Sequence, residues 1–169
     1  LPKVYDVSAR RISNPSGTLI TGTTYSTAVL IRNYGSATIT GMEIYWSLNG
    51  VLQSKYVWSG TLVSQDTMTV SVGNFNAITG NNTIKIWTSV PNGQNDERPA
   101  NDTARISLIG CDSLLTGSYS LGSGGTFTDM NALTAAISNC GIGGPVIVRM
   151  LPGKYSEMLF NNAIPGTDS

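Results

Sequence analysis

Three carboxylates crowd the most polar stretch of this chain, PNGQNDERPANDT at residues 91–103. They are Asp96, Glu97 and Asp102, with Asn92, Asn95 and Asn101 among them. Two kinds of chemistry use such groups. A calcium ion takes about six to eight oxygens, usually with more than one carboxylate, and this stretch supplies that type of ligand. Its spacing is not the D-x-[DN]-x-[DN]-G of a calcium loop, however, and Asn92-Gly93 and Pro99 have ordinary turn roles. Glycoside cleavage instead needs two carboxyl groups facing each other across a sugar. Asp96 and Glu97 are adjacent, and no second acidic cluster accompanies them. The expectation is therefore a solvated recognition loop without a cofactor, with calcium at Asp96, Glu97 and Asp102 as its rival.

Other chemistry is narrowed by composition. The 169 residues contain no histidine, which removes imidazole acid–base catalysis, Ser-His-Asp triads and histidine metal sites. Ten basic and ten acidic residues give a net charge of zero, so there is no basic face to attract nucleic acid. No segment is long and apolar enough for membrane insertion. The chain starts LPKVYDV without Met and stops at IPGTDS, which reads as a piece of a longer protein.

Short alternating strands must position the loop. MEIYWSL alternates Met42, Ile44, Trp46 and Leu48 with Glu43, Tyr45 and Ser47, which places Trp46 in the core. Asn49-Gly50 follows, the pair that a two-residue type I′ hairpin favours. With its hairpin partner VLQSKYVWSG and with KVYDVSARRI, YSTAVLIRN, TMTVSVG, NTIKIWTSV and TARISLI, seven strands fill residues 1–110 and predict an immunoglobulin- or fibronectin-III-like β-sandwich. The acidic stretch is then an end loop between the last two strands, where binding residues often sit. Trp58 and Trp87 are the aromatics that such a sheet could turn outward to meet a ligand.

The pattern changes near Ile109. Residues 111–169 begin with a Gly/Ser-rich joint and continue into TDMNALTAAISNCG, whose Met130, Leu133, Ala136 and Ile137 have helical spacing. Thr128 is expected to cap that helix, Asp129 to suit its dipole and Gly141 to end it. Two strands around PGKY follow. Cys111 and Cys140 flank the segment and are candidates for a disulfide.

Residues 3–110 resemble the bacterial cell-adhesion-related domain, an immunoglobulin-like module of surface proteins. VLIRNYG, the SLNG hairpin and the PNGQNDERPANDT loop running into ARISL carry this resemblance. Residues 114–168 look like the helix-capped first rung of a right-handed parallel β-helix, as in secreted Bacteroidetes-type surface proteins. The two resemblances imply a non-enzymatic, secreted or cell-surface module, acting as spacer, adhesive or carbohydrate-contacting unit. A surface glycan or protein would be its partner. The alternative is the accessory N-terminal region of a polysaccharide-lyase-like β-helix enzyme. A first rung with Val146, Val148 and Met150 in one strand, and Tyr155, Met158 and Phe160 in the next, is expected either to self-associate through residues 145–162 or to leave that tail poorly ordered.

Overall fold

The computed structural model describes residues 3–156. They form two compact units. The first contains residues up to Ser16, Thr23–Ala77 and Asn81–Leu108; the second contains Gly17–Gly22, Ile78–Gly80 and the chain from Ile109.

In the first unit, β1 (Val7–Asn14), β3 (Thr24–Asn33) and β7 (Thr67–Asn76) form an antiparallel sheet in the order β1-β3-β7. Opposing strands are β4 (Ile39–Leu48), β5 (Val51–Leu52), β6 (Tyr56–Leu62), β8 (Gly80–Ser89) and β9 (Thr103–Cys111). They run β9-β8-β4-β5, with β6 also paired to β4. The inward residues follow the strand period of two. Val29 and Ile31 come from β3, Val70 and Val72 from β7, Ile44 and Trp46 from β4, and Ile84 and Ile86 from β8; all are buried. Asn49 and Gly50 both have positive φ, 48° and 83°, and turn β4 into β5 as a primed hairpin requires.

Two local features fit the sheets together. The β3–β7 register shifts so that Thr27 opposes Gly73 and Ala28 opposes Ser71, leaving Val72 as a bulge. A Cβ on Gly73 would stand 2.7 Å from the Trp46 ring, so the indole has room only because Gly73 has no side chain. At the end of β3 the wholly buried Asn33 is fully satisfied. Its Nδ2 donates to the Ala37 carbonyl at 2.7 Å and to that of Leu62 at 3.0 Å, and its Oδ1 accepts from Gly35 N at 2.9 Å.

The second unit gathers separate pieces of chain. β2 (Leu19–Ile20) lies parallel to the last residues of β9, with Leu19 opposite Gly110 and Ile20 opposite Cys111. Thr79 Oγ1 donates to Asp112 Oδ1 at 2.7 Å, and Thr18 Oγ1 to the Asn139 carbonyl at 3.1 Å. β10 (Leu115–Leu121) runs parallel to β11 (Ile142–Met150), and α1 (Met130–Cys140) connects them. Leu115, Leu121, Leu133 and Ile137 are the buried centre, with Met130, Ala136, Val146 and Val148 packed against it. Asp129 rather than Thr128 is the N-cap. Its carboxylate accepts from Ala132 N at 2.9 Å, and Thr128 donates to that carboxylate. Gly141, at φ 74°, ends the helix, with its N–H on the Ile137 carbonyl. Cys111 and Cys140 are joined by a disulfide, with 5.6 Å between their Cα atoms.

Of the expected outer rung, Val146 and Val148 face the small core and Met150 is exposed. Met158 and Phe160, and with them part of the 145–162 segment, lie outside the described residues.

Candidate functional site

The acidic loop grips the start of the chain. β8 ends at Ser89, and two single 3₁₀ turns, Pro91–Gly93 and Pro99–Asn101, carry the loop to β9. Asn92 anchors its first half. Its Oδ1 accepts from Thr40 N at 2.7 Å, and its Nδ2 donates to the Thr38 carbonyl at 2.9 Å. The second half holds residues 4–8. Glu97 Oε1 accepts from Val4 N at 2.8 Å and Tyr5 N at 3.0 Å, while Glu97 N donates to the Tyr5 carbonyl. Asp96 Oδ2 accepts from Val7 N and its Oδ1 from Arg98 N, each at 2.7 Å. Asn101 Nδ2 donates to Asp6 Oδ1 at 2.9 Å, and the Asn101 carbonyl accepts from Ser8 Oγ at 2.8 Å. A second loop pins the same segment from elsewhere, because Tyr34 N and Gly35 N both donate to the Asp6 carbonyl.

The carboxylates differ in their electrostatics. The backbone N–H groups of Tyr5 and then Val4 hold Glu97 below the usual carboxylate range, against a small burial effect. Burial raises Asp96 in spite of its two backbone hydrogen bonds. Asp102 is 7% exposed, and its Oδ1 is buried without a hydrogen-bond partner. Burial first, then the charges of Asp96 and Asp6, push it up to about 7. It lines a cavity of about 300 Å³ together with Ser89, Val90, Asn95, Asp96 and Pro99.

The three calcium candidates do not converge. Glu97 is spent on the Val4 and Tyr5 amides, and Asp96 on those of Val7 and Arg98. Among the described residues no group of three or more His, Cys, Asp or Glu side chains could hold a metal ion. The loop is a structural clasp in which carboxylates cap backbone donors. The residue that sequence reasoning missed is Asp6. It is 3% exposed and central to the clasp, yet it lies in VYDV, about 90 residues from its partners, with no local signal.

The aromatic candidates separate. Trp58 is 5% exposed and pairs across the sheet with Met42, so it has no surface to offer a ligand; that expectation is corrected. The reason is its pairing: Trp58 lies opposite the buried Met42 and on the same side of β6 as the buried Leu62, while its neighbour Val57 faces out. Trp87 is half-buried and lies against Tyr45, with ring centroids 5.7 Å apart and planes within 10°. Lys85 stands 5.1 Å from the Trp87 centroid and Lys55 5.7 Å from that of Tyr45, while both Lys55 and the Tyr45 hydroxyl donate to Glu43. This is a self-satisfied cation–π ladder on the outer sheet face. No helix among the described residues is long and apolar enough to cross a membrane.

No family model matches the chain, and no curated protein does. Solved structures do. The CARDB domain of the PF1109 protein from Pyrococcus furiosus, crystallised in complex with di-metal ions, matches with a TM-score of 0.53 at 15% identity, covering 66% of this chain and 93% of that one. The solution structure of the same domain matches with a TM-score of 0.51 at 15% identity, over 66% and 99% of the two chains. A domain assigned to a cell surface protein of Methanosarcina acetivorans matches with a TM-score of 0.53 at 14% identity, over 64% and 94%. At these identities the likeness is one of fold, and it gives the greater part of this chain the immunoglobulin-like fold of CARDB domains.

Proposed function

We propose that this chain is a non-catalytic module of a secreted or cell-surface protein, a spacer that offers contact surfaces to a surface glycan or protein. One observation carries this reading: Asp96 and Glu97, two of the three carboxylates of the acidic loop, are used to cap the backbone of residues 4–7, which leaves Asp102 without a free carboxylate to work beside. An acid–base pair would need carboxyl groups aimed at a shared open space across a sugar. The CARDB-like fold, seen in a cell-surface protein domain, supports the same reading. The di-metal ions of the Pyrococcus domain raise the question of calcium here, and the residues present do not fit it as a set of three.

A glycan array, run beside a panel of polysaccharide-cleavage assays, tests the proposal. Binding without product is the expected result. Release of cleaved sugar that disappears in Asp102→Asn would sink it.

A second reading has its own support. The parallel pairing of β10 and β11, with α1 between them, is the arrangement that a helix-capped parallel β-helix would begin with. The second unit would then be the entry rung of a longer coil. Further rungs of such a coil would decide what it does: an acidic cluster with a basic residue on consecutive rungs would mark the accessory region of a lyase-like enzyme, and repeated adhesive modules would not.

A further inference from the structure

The clasp contains a carboxyl group that its surroundings do not accommodate as an anion. Asp102 sits at the foot of β9, buried, with one oxygen wholly without a donor. The groups facing it are of one sign. From the N-terminal segment comes Asp6, and from the loop comes Asp96, with Glu97 next along the chain and Lys3 3.9 Å beyond that. β8 brings Thr88 and Ser89 to this end, and its Lys85 lies over Trp87 instead. Arg98 of the loop, Arg10 and Arg11 of β1 and Arg105 of β9 are solvent-exposed, and none lines the cavity. Asp6 and Asp96 already have donors, from Asn101 and from the Val7 and Arg98 amides, while Asp102 Oδ1 has none.

We propose that Asp102 makes the clasp a proton-operated latch. With a proton on Asp102, the loop from Gln94 to Asp102 closes on residues 4–8. When Asp102 ionises, a second carboxylate charge enters the cavity that Asp96 already lines, close to Asp6 on the segment that the loop holds. The closed state is penalised and the loop loosens, while the Tyr34 and Gly35 contacts keep the segment attached. The upward displacement of Asp102 to about 7 places this change near neutrality. The sign follows from linkage. The folded-state value lies above the unfolded one of 3.8, so the contribution is complete below about pH 4 and is lost as pH rises through about 7.

Amide hydrogen exchange on the full chain tests the latch at Val4, Tyr5, Val7 and Glu97, whose N–H groups bridge the loop and the segment it holds. After correction for intrinsic rates, protection in the wild type should fall roughly ten- to a hundredfold between about pH 5 and about pH 9. In Asp102→Asn it should stay flat. Flat protection in the wild type, or an equal fall in Asp102→Asn, would overturn the proposal. Asp96→Asn supplies a second reading that does not depend on the first variant folding. Removing the neighbouring charge should move the Asp102 carboxyl titration, followed by carbon NMR, to lower pH, and an unmoved midpoint would overturn the proposal as well.

Discussion

Replacing both Cys111 and Cys140 by serine should loosen the second unit far more than its small core can absorb. The disulfide joins the end of β9 to the end of α1, 29 residues apart in sequence. Closing a loop of that length in the unfolded chain removes entropy worth about 3.5 kcal/mol at room temperature. Little offsets its loss: among the described residues the cluster around α1 buries four side chains, Leu115, Leu121, Leu133 and Ile137, with Leu19 and Cys111 buried elsewhere in the unit. Four such side chains contribute about 6–12 kcal/mol of burial in all, before the entropy of ordering the segment is subtracted. If α1 opens through unfolding of this unit, its amides should lose about 300-fold in protection in the double serine variant. Exchange measured at Leu133 through Ile137 gives the answer directly. Tryptophan fluorescence follows the first unit separately, because Trp46, Trp58 and Trp87 all belong to it. Protection in α1 that changes by less than about threefold would refute the account, since it would mean that side-chain packing alone carries the unit.

Asn33→Ala removes three hydrogen bonds at a fully buried site, and urea unfolding should show a loss of about 2–4 kcal/mol. Glu97→Gln should flatten the acid limb of stability: the folded-state value of Glu97 is depressed, so its contribution is present above about pH 4.5 and lost as pH falls further, and thermal melts across that range will show it. Self-association through residues 145–162 should appear in light scattering at rising concentration. Ile147→Lys is the variant to weaken it, because Ile147 is exposed while Val148 packs inward.

Much of the fold could be read from local pattern. Alternation in MEIYWSL placed Trp46 inside, Asn49-Gly50 marked the primed turn, and the spacing of Leu133 and Ile137 marked the buried face of α1. These features depend on residues a few positions apart, which periodicity registers. The remainder depends on distant partners. Glu97 looked like a ligand because no local rule says that its carboxylate will meet amides 92 and 93 residues earlier. Trp58 could be read either way because the apolar Tyr56, Val57 and Trp58 are consecutive and show no alternation of their own; what turns Trp58 inward is Met42 on the neighbouring strand. The pieces Gly17–Gly22 and Ile78–Gly80 are too short to carry any period, yet they belong to the second unit.

The pairing of Leu19 with Gly110 has a consequence for synthesis. A ribosome adding about 5–20 residues per second leaves Leu19 without its neighbour for roughly 5–20 seconds, and Val4, Tyr5 and Val7 wait about as long for Asp96 and Glu97. In the later part of that interval β1, β3 and β4 have been made, but the groups that fasten the N-terminal segment to the acidic loop have not. The nascent chain therefore carries a half-fastened sheet edge until the acidic loop is made, at the stage when strand edges recruit wrong partners. Whatever delays or shields this chain during synthesis acts on that window, and the acidic loop is the part whose arrival closes it.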